Sequence, residues 1–160
     1  MKTLATLSAT ALLALGLASQ AFAAPTLGPV STSFTGMGTT SMTKSGITIG
    51  CNANFTGSIN STGAGQISTA AFTAGNFLCP LITATNLPWP AAAVTAGGGG
   101  AGTANILTVA VSTPLGNCGP STLPTSINTT GVISFSGVPL SGGCTVSGSI
   151  QSTPHVFVVP

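Results

Sequence analysis

The residues able to carry chemistry in this chain are few and far apart. Cys51, Cys79, Cys118 and Cys144 are its only cysteines, and His155 is its one histidine. There is no Asp, Glu, Arg or Tyr, and Lys44 is the only charged side chain after Lys2. General acid–base and nucleophilic catalysis need titratable groups placed together. A glycosidase needs two carboxylates, and a Ser-His-Asp triad needs one; this chain supplies neither. His155 sits in the C-terminal apolar run and reads as a strand-end residue. One histidine without carboxylates makes a poor metal site. The chemistry therefore points away from an enzyme, with no cofactor and no metal expected.

The cysteines are even in number and carry no C-x-x-C spacing, which disfavours a four-cysteine zinc site. In an exported chain they read as two disulfides. Three connectivities are open, and the similar separations from 51 to 79 and from 118 to 144 favour pairing in chain order. The run from Gly97 to Gly102 lacks the Lys-Ser/Thr of a phosphate-binding loop and reads as a flexible hairpin tip. Asn54-Phe55-Thr56, Asn60-Ser61-Thr62 and Asn128-Thr129-Thr130 match the glycosylation acceptor pattern, as chance allows in a chain rich in Ser, Thr and Asn. Trp89 lies between Pro88 and Pro90, which fix a rigid loop or sheet-edge segment. It either closes over the core or stands exposed, and with Phe157 it is a candidate surface contact.

The elements that must position these residues read as β-strands. From Ile47 to Asn60, apolar and small side chains fall on odd positions and Thr, Asn, Ser and Gly50 on even ones. A period of two over that length predicts a long half-buried strand with Cys51 facing inward. Cys144, Val146, Gly148 and Ile150 repeat the pattern. Shorter candidates are Val30–Thr35 before Gly36, Gln66–Ala74, Val132–Gly137 with Ile133 and Phe135 on one face, and Val156–Val159. Asn105–Ser112 is apolar enough to be buried on both faces, and Pro90–Thr95 has room for one helical turn. Turn signals fall at 61–65, 97–102, 116–120 and 141–143. Short strands with Gly-rich turns predict an all-β fold, an antiparallel β-sandwich or small barrel stapled by two disulfides.

Lys2, the apolar stretch from Leu4 to Leu17 and Ala21-Phe22-Ala23 form the three regions of a secretory signal peptide. Cleavage is expected after Ala23, giving a signal peptide over residues 1–23 and a single β domain over 24–160. The apolar stretch is too short to span a bilayer, and no later run reaches about 18 apolar residues. The mature chain is therefore read as secreted through the periplasm, extracellular or on the cell surface, and not as an integral membrane protein. One Lys cannot neutralise several phosphates, so nucleic acid is excluded as a partner. Stability should be nearly flat with pH, because few groups titrate, and Lys44 is the only trypsin site left after export. A surface hydrated through hydroxyls and amides, without charge repulsion, favours adsorption to apolar surfaces or self-association.

Several short motifs in order resemble a known family. They are Ser41 to Ile49 before Cys51, Asn54-Phe55-Thr56-Gly57, Leu87-Pro88-Trp89, Asn117-Cys118-Gly119-Pro120 and Gly142 to Ser149. Together they resemble the secreted alkane-oxidation activator proteins of the PraA/PraB type of Pseudomonas-like bacteria, over nearly the whole mature chain. The resemblance implies a secreted or surface-located factor that promotes growth on hydrocarbons, with a link to attachment and biofilm, and it carries over no catalytic residue.

Three roles follow as expectations. The first is a non-enzymatic protein that engages alkane droplets or cell surfaces. The second is a self-associating subunit or adhesin of a fibre or biofilm matrix, with Leu27–Phe34 or Val156–Val159 passed between subunits as a donated strand. The third is a hydrocarbon carrier, which requires an internal apolar cavity of about 300 Å³ or more.

Overall fold

The computed structural model describes residues 23–160; the expected signal peptide, except Ala23, lies outside the described residues. The strands in chain order are β1 (Thr26–Gly28), β2 (Thr32–Lys44), β3 (Ile47–Ile59), β4 (Gly65–Thr73), β5 (Thr83–Thr85) and β6 (Trp89–Ala96). They are followed by β7 (Gly102–Ser112), β8 (Cys118–Ile127), β9 (Val132–Leu140), β10 (Cys144–Thr153) and β11 (Phe157–Val159). The order β7-β6-β4-β3-β2-β10-β9-β8 closes back onto β7, making an antiparallel barrel of eight strands. Of the sandwich and barrel forms expected, the barrel is the one adopted. At this strand number the interior is narrow enough for side chains to fill.

β3 follows its predicted alternation from Ile49 onward, while Ile47, at the hairpin, is exposed. Ile49, Cys51, Ala53 and Ile59 are buried, while Gly50, Asn52, Asn54 and Thr56 face solvent. Its neighbour β2 is much longer than Val30–Thr35, continuing through Gly36 and Gly38 to Lys44. Two of its inward positions, Gly36 and Gly38, look blank in the sequence because they are glycines that side chains and backbone from adjacent strands cover. Gly36 lies opposite Phe55, and Gly57 lies opposite Phe34. A Cβ on Gly57 would stand 2.6 Å from Phe34 Cζ. On the other side of β2, Gly148 lies opposite Phe135, and its Cβ would come within 2.5 Å of that ring. Phe34 and Phe135 thus fill the barrel over the glycine of the opposing strand. Over Gly36 it is Ile150 of β10 that comes nearest, a Cβ there standing 2.8 Å from its Cγ2.

Other expectations need correction. Pro90–Thr95 is part of β6, because Gly65, Gln66 and Ile67 of β4 pair with Ala91, Pro90 and Trp89. β8 was hidden behind a turn signal at 116–120 and two prolines, yet Leu123, Thr125 and Ile127 alternate inward along it. β7 is buried on both faces only over Val109–Val111, where β5 pairs with it. A register shift between Ile106 and Val109, with Thr108 at φ 55°, leaves Thr108 outward beside Leu107 and moves the inward positions from Ala104 and Ile106 to Val109 and Val111. This is the local effect of a β-bulge.

The barrel has two differently built ends. At one, Cys51 bonds Cys79 and Cys118 bonds Cys144, each with Cα atoms 5.7–5.8 Å apart. Pairing is in chain order, as the spacing favoured. All four cysteines are buried in the main core with Met42, Ile49, Trp89 and Leu140. At the other end β1 and β11 pair antiparallel, Leu27 opposite Val158, and form a two-stranded lid. Leu27, Val156 and Val158 pack there on Ile59, Ala104 and Ile127 as a second core.

Candidate functional site

The interior is a packed core. Its two apolar cavities measure about 70 and 50 Å³ and share Phe55, Trp89, Leu123 and Phe135 in their walls. Both are far below the volume that a hydrocarbon carrier requires, because inward phenylalanines take up the space. Phe55 and Phe72 meet edge to face at 6.1 Å, a favoured aromatic geometry. Trp89 belongs to this core. It is 3% exposed, and its indole N–H donates to the Thr85 carbonyl at 2.8 Å. That corrects its candidacy as a surface contact: burying the ring removes apolar area from water, and the one polar atom has its partner. Phe157 does lie at the surface, on the outer side of the lid between Gly28 and Gly100.

The residues that chemistry would need are dispersed. His155 is exposed beside Gly131 at the lid end, while Lys44 is at the disulfide end, where its Nζ donates to the Asn117 carbonyl at 2.7 Å. That bond ties the β2–β3 hairpin to the segment before β8. Among the described residues, no three His, Cys, Asp or Glu side chains cluster as a metal site needs. No described helix is long and apolar enough to cross a membrane.

What the barrel presents instead is a wall of hydroxyls that bond one another. Thr43 faces Thr48 at 2.7 Å, Thr56 faces Thr69 at 2.6 Å, and Thr95 faces Thr103 at 2.7 Å. Each is a directly opposed cross-strand pair, as is Ser126 with Ser134. A hydroxyl already bonded to its neighbour gives up less hydration when covered than a free one, and far less than a charge.

Two of the Asn-x-Thr matches turn out to be turn chemistry. Asn60 Oδ1 accepts from the backbone N–H of Thr62 and Ala64 and from the Thr62 hydroxyl, at 2.8–3.0 Å. Asn128 Oδ1 repeats this set with Thr130 and Val132 at 2.9–3.0 Å. Each turn ends in a glycine at positive φ, Gly63 or Gly131. An asparagine oxygen that mimics a backbone acceptor, followed by a left-handed glycine, closes a tight turn. These turns also hold the terminal segments. The Gly63 carbonyl accepts from Leu27 N–H at 2.9 Å, and the Gly131 carbonyl accepts from Ser152 N–H and from the buried Ser152 hydroxyl. Ser152 Oγ in turn accepts from Val156 N–H, steering the chain into β11. Both segments considered as donated strands are therefore engaged within their own chain.

The fold is thus a closed, disulfide-stapled barrel with a packed interior and no Asp or Glu in its sequence. The chain belongs to the alkane oxidation protein activator PraA/PraB-like family, whose profile matches residues 1–160. Comparison with curated proteins and with solved structures finds no match.

Proposed function

We propose that this protein is a secreted, non-enzymatic surface or extracellular factor that promotes alkane utilisation by engaging hydrocarbon or cell surfaces. The observation that carries the reading is the barrel wall. It exposes paired hydroxyls, no carboxylate, and Lys44 as its only charged side chain beyond residue 23. Covering such a wall desolvates almost no charge, the largest penalty in adsorption to an apolar phase. Phe157 at the lid adds an apolar contact. The family's activator description accords with an effect exerted through contact instead of turnover.

Purified mature protein at a hexadecane–water boundary should lower interfacial tension well beyond a charged globular control of equal size. No difference from that control would overturn the reading. Export is tested separately: the intact mass of protein recovered from culture medium should begin at Ala24, and full-length protein retained in the cytoplasm would refute secretion.

A further inference from the structure

The most exposed large apolar side chain among the described residues is Phe77, at 82%, and Leu81 follows in the same segment at 57%. Both belong to the connection from β4 to β5 at the disulfide end. Burying them would be simple if the segment were free to fold back, yet it is held with these two side chains outward. Cys79 between them is fully buried and bonded to Cys51, and Leu78 packs on the main core. Upstream, Gly75 lies so close to Gly50 that a Cβ would stand 2.7 Å from its carbonyl oxygen, and Ala74 accepts from Asn52 N–H. The segment is anchored on both sides of Phe77.

Its backbone needs little from water. Asn76 Oδ1 accepts from Leu78 N–H at 2.9 Å, and the Asn76 carbonyl accepts from Cys79 N–H at 3.0 Å. Leu81 N–H donates to Leu78 and Ile82 N–H to Cys79, closing a single 3-10 turn over Cys79–Leu81. Pro80 has no N–H to satisfy. From Leu78 to Ile82, then, every backbone donor is bonded within the segment. Immersing a loop in a medium without hydrogen-bonding partners costs free energy for each unpaired donor. That cost is removed in advance for the donors of Leu78, Cys79, Leu81 and Ile82, leaving the Phe77 N–H to be met at the boundary. No acidic or arginine side chain exists in the chain, and Lys44, the one cation at this end, is bonded to Asn117. Ile47 adds a further exposed apolar residue at the same end.

We infer that the Phe77–Leu81 tip is the part of the molecule that enters the hydrocarbon phase, with the disulfide Cys51–Cys79 holding it rigid; this rests on the proposed hydrocarbon-engaging function. A liquid alkane surface fits better than a lipid bilayer. Entry through a headgroup layer calls for about 5–10 Å of penetration, usually helped by several Lys or Arg on anionic lipid. This end offers two protruding side chains and one tethered Lys. A bare alkane surface has no such layer to cross. A protein partner fits less well too, because all of the segment's donors but the Phe77 N–H are already used, which leaves few directional anchors.

The test is adsorption of mature, oxidised protein to hexadecane droplets and, in parallel, to phosphatidylcholine vesicles with and without anionic lipid. The double variant F77S/L81S is compared with V94S, which removes an exposed apolar side chain on β6 near the glycine-rich hairpin tip. Because these side chains are exposed, each variant should keep the wild-type circular dichroism and melting temperature. F77S/L81S should weaken droplet adsorption by about tenfold or more for each buried side chain lost, whereas V94S should change it less than about threefold. A Phe77→Trp variant should show blue-shifted emission on droplets, over the constant signal of buried Trp89.

Wild-type adsorption unchanged in F77S/L81S would overturn the tip while leaving the general hydrocarbon reading intact. Phe77-dependent binding to vesicles stronger than to droplets would overturn the choice of hydrocarbon. Failure of the wild type to adsorb at all would remove both.

Discussion

The two ends of the barrel solve the same problem by different means. At one end, each disulfide closes a loop, with sequence separations of 28 and 26 residues. Restricting loops of that size in the unfolded chain stabilises the fold by about 3.5 kcal/mol each on a chain-entropy basis. At the other end β1 and β11 pair over only three residues, and closure depends on Leu27, Val156 and Val158 with two asparagine turns. One end is held by covalent bonds and tolerates exposed Phe77 and Leu81. The other must keep Leu27, Val156 and Val158 in, because their burial is what holds it shut. Apolar residues are exposed at both ends, Phe157 on the lid among them, but the two most exposed in one short segment, Phe77 and Leu81, are held by a disulfide instead of by their own burial.

Breaking the covalent end should have the largest effect. C51S/C79S and C118S/C144S should each cost about 2–5 kcal/mol, read as a fall in the denaturant midpoint. If either pair proved neutral, the contrast between the ends would fail. Val158→Ala, at a fully buried position of the lid, should cost about 2 kcal/mol from lost transfer free energy and a residual cavity. Amide exchange should then rise selectively at Leu27 and Val156, while Cys51 and Cys144 stay protected; uniform exchange would mean that the ends do not open separately.

The asparagine turns sharpen the comparison at smaller scale. Asn60→Ala and Asn128→Ala each remove three hydrogen bonds of matching geometry, so each should cost about 1–2 kcal/mol. Equal effects are expected; a neutral Asn60→Ala beside a costly Asn128→Ala would show that only the C-terminal strap matters. Smallest of all is the response to pH. With so few titratable groups the folded and unfolded states bind nearly equal numbers of protons. The melting temperature should therefore shift by less than about 3 °C between about pH 5 and pH 9, and a steep dependence would point to ionisable groups acting in assembly.

The disulfide end was largely legible in the sequence, since cysteine count, spacing and the alternation around Cys51 and Cys144 are local properties of the chain. The lid end was not. Val156–Val159 read as a strand, but its partner Thr26–Gly28 is too short to carry a pattern, and the asparagine turns looked like chance matches to an acceptor motif. Trp89 illustrates the same boundary. Its prolines marked a rigid edge, while its burial depends on Ile67, Ile106 and Leu123 arriving from three other strands.

Composition alone determined that the chain has no Asp, Glu, Arg or Tyr and very few titratable groups, and residue periodicity pointed to an all-β fold. These follow from side-chain chemistry and from a two-residue repeat that any strand must show. Only the tertiary structure decided that the sheet closes, that Phe34, Ile150 and Phe135 fill the space above Gly57, Gly36 and Gly148, and that Phe77 stays outside. Those outcomes depend on which residues stand opposite each other, and register is a property of paired strands that no single segment contains.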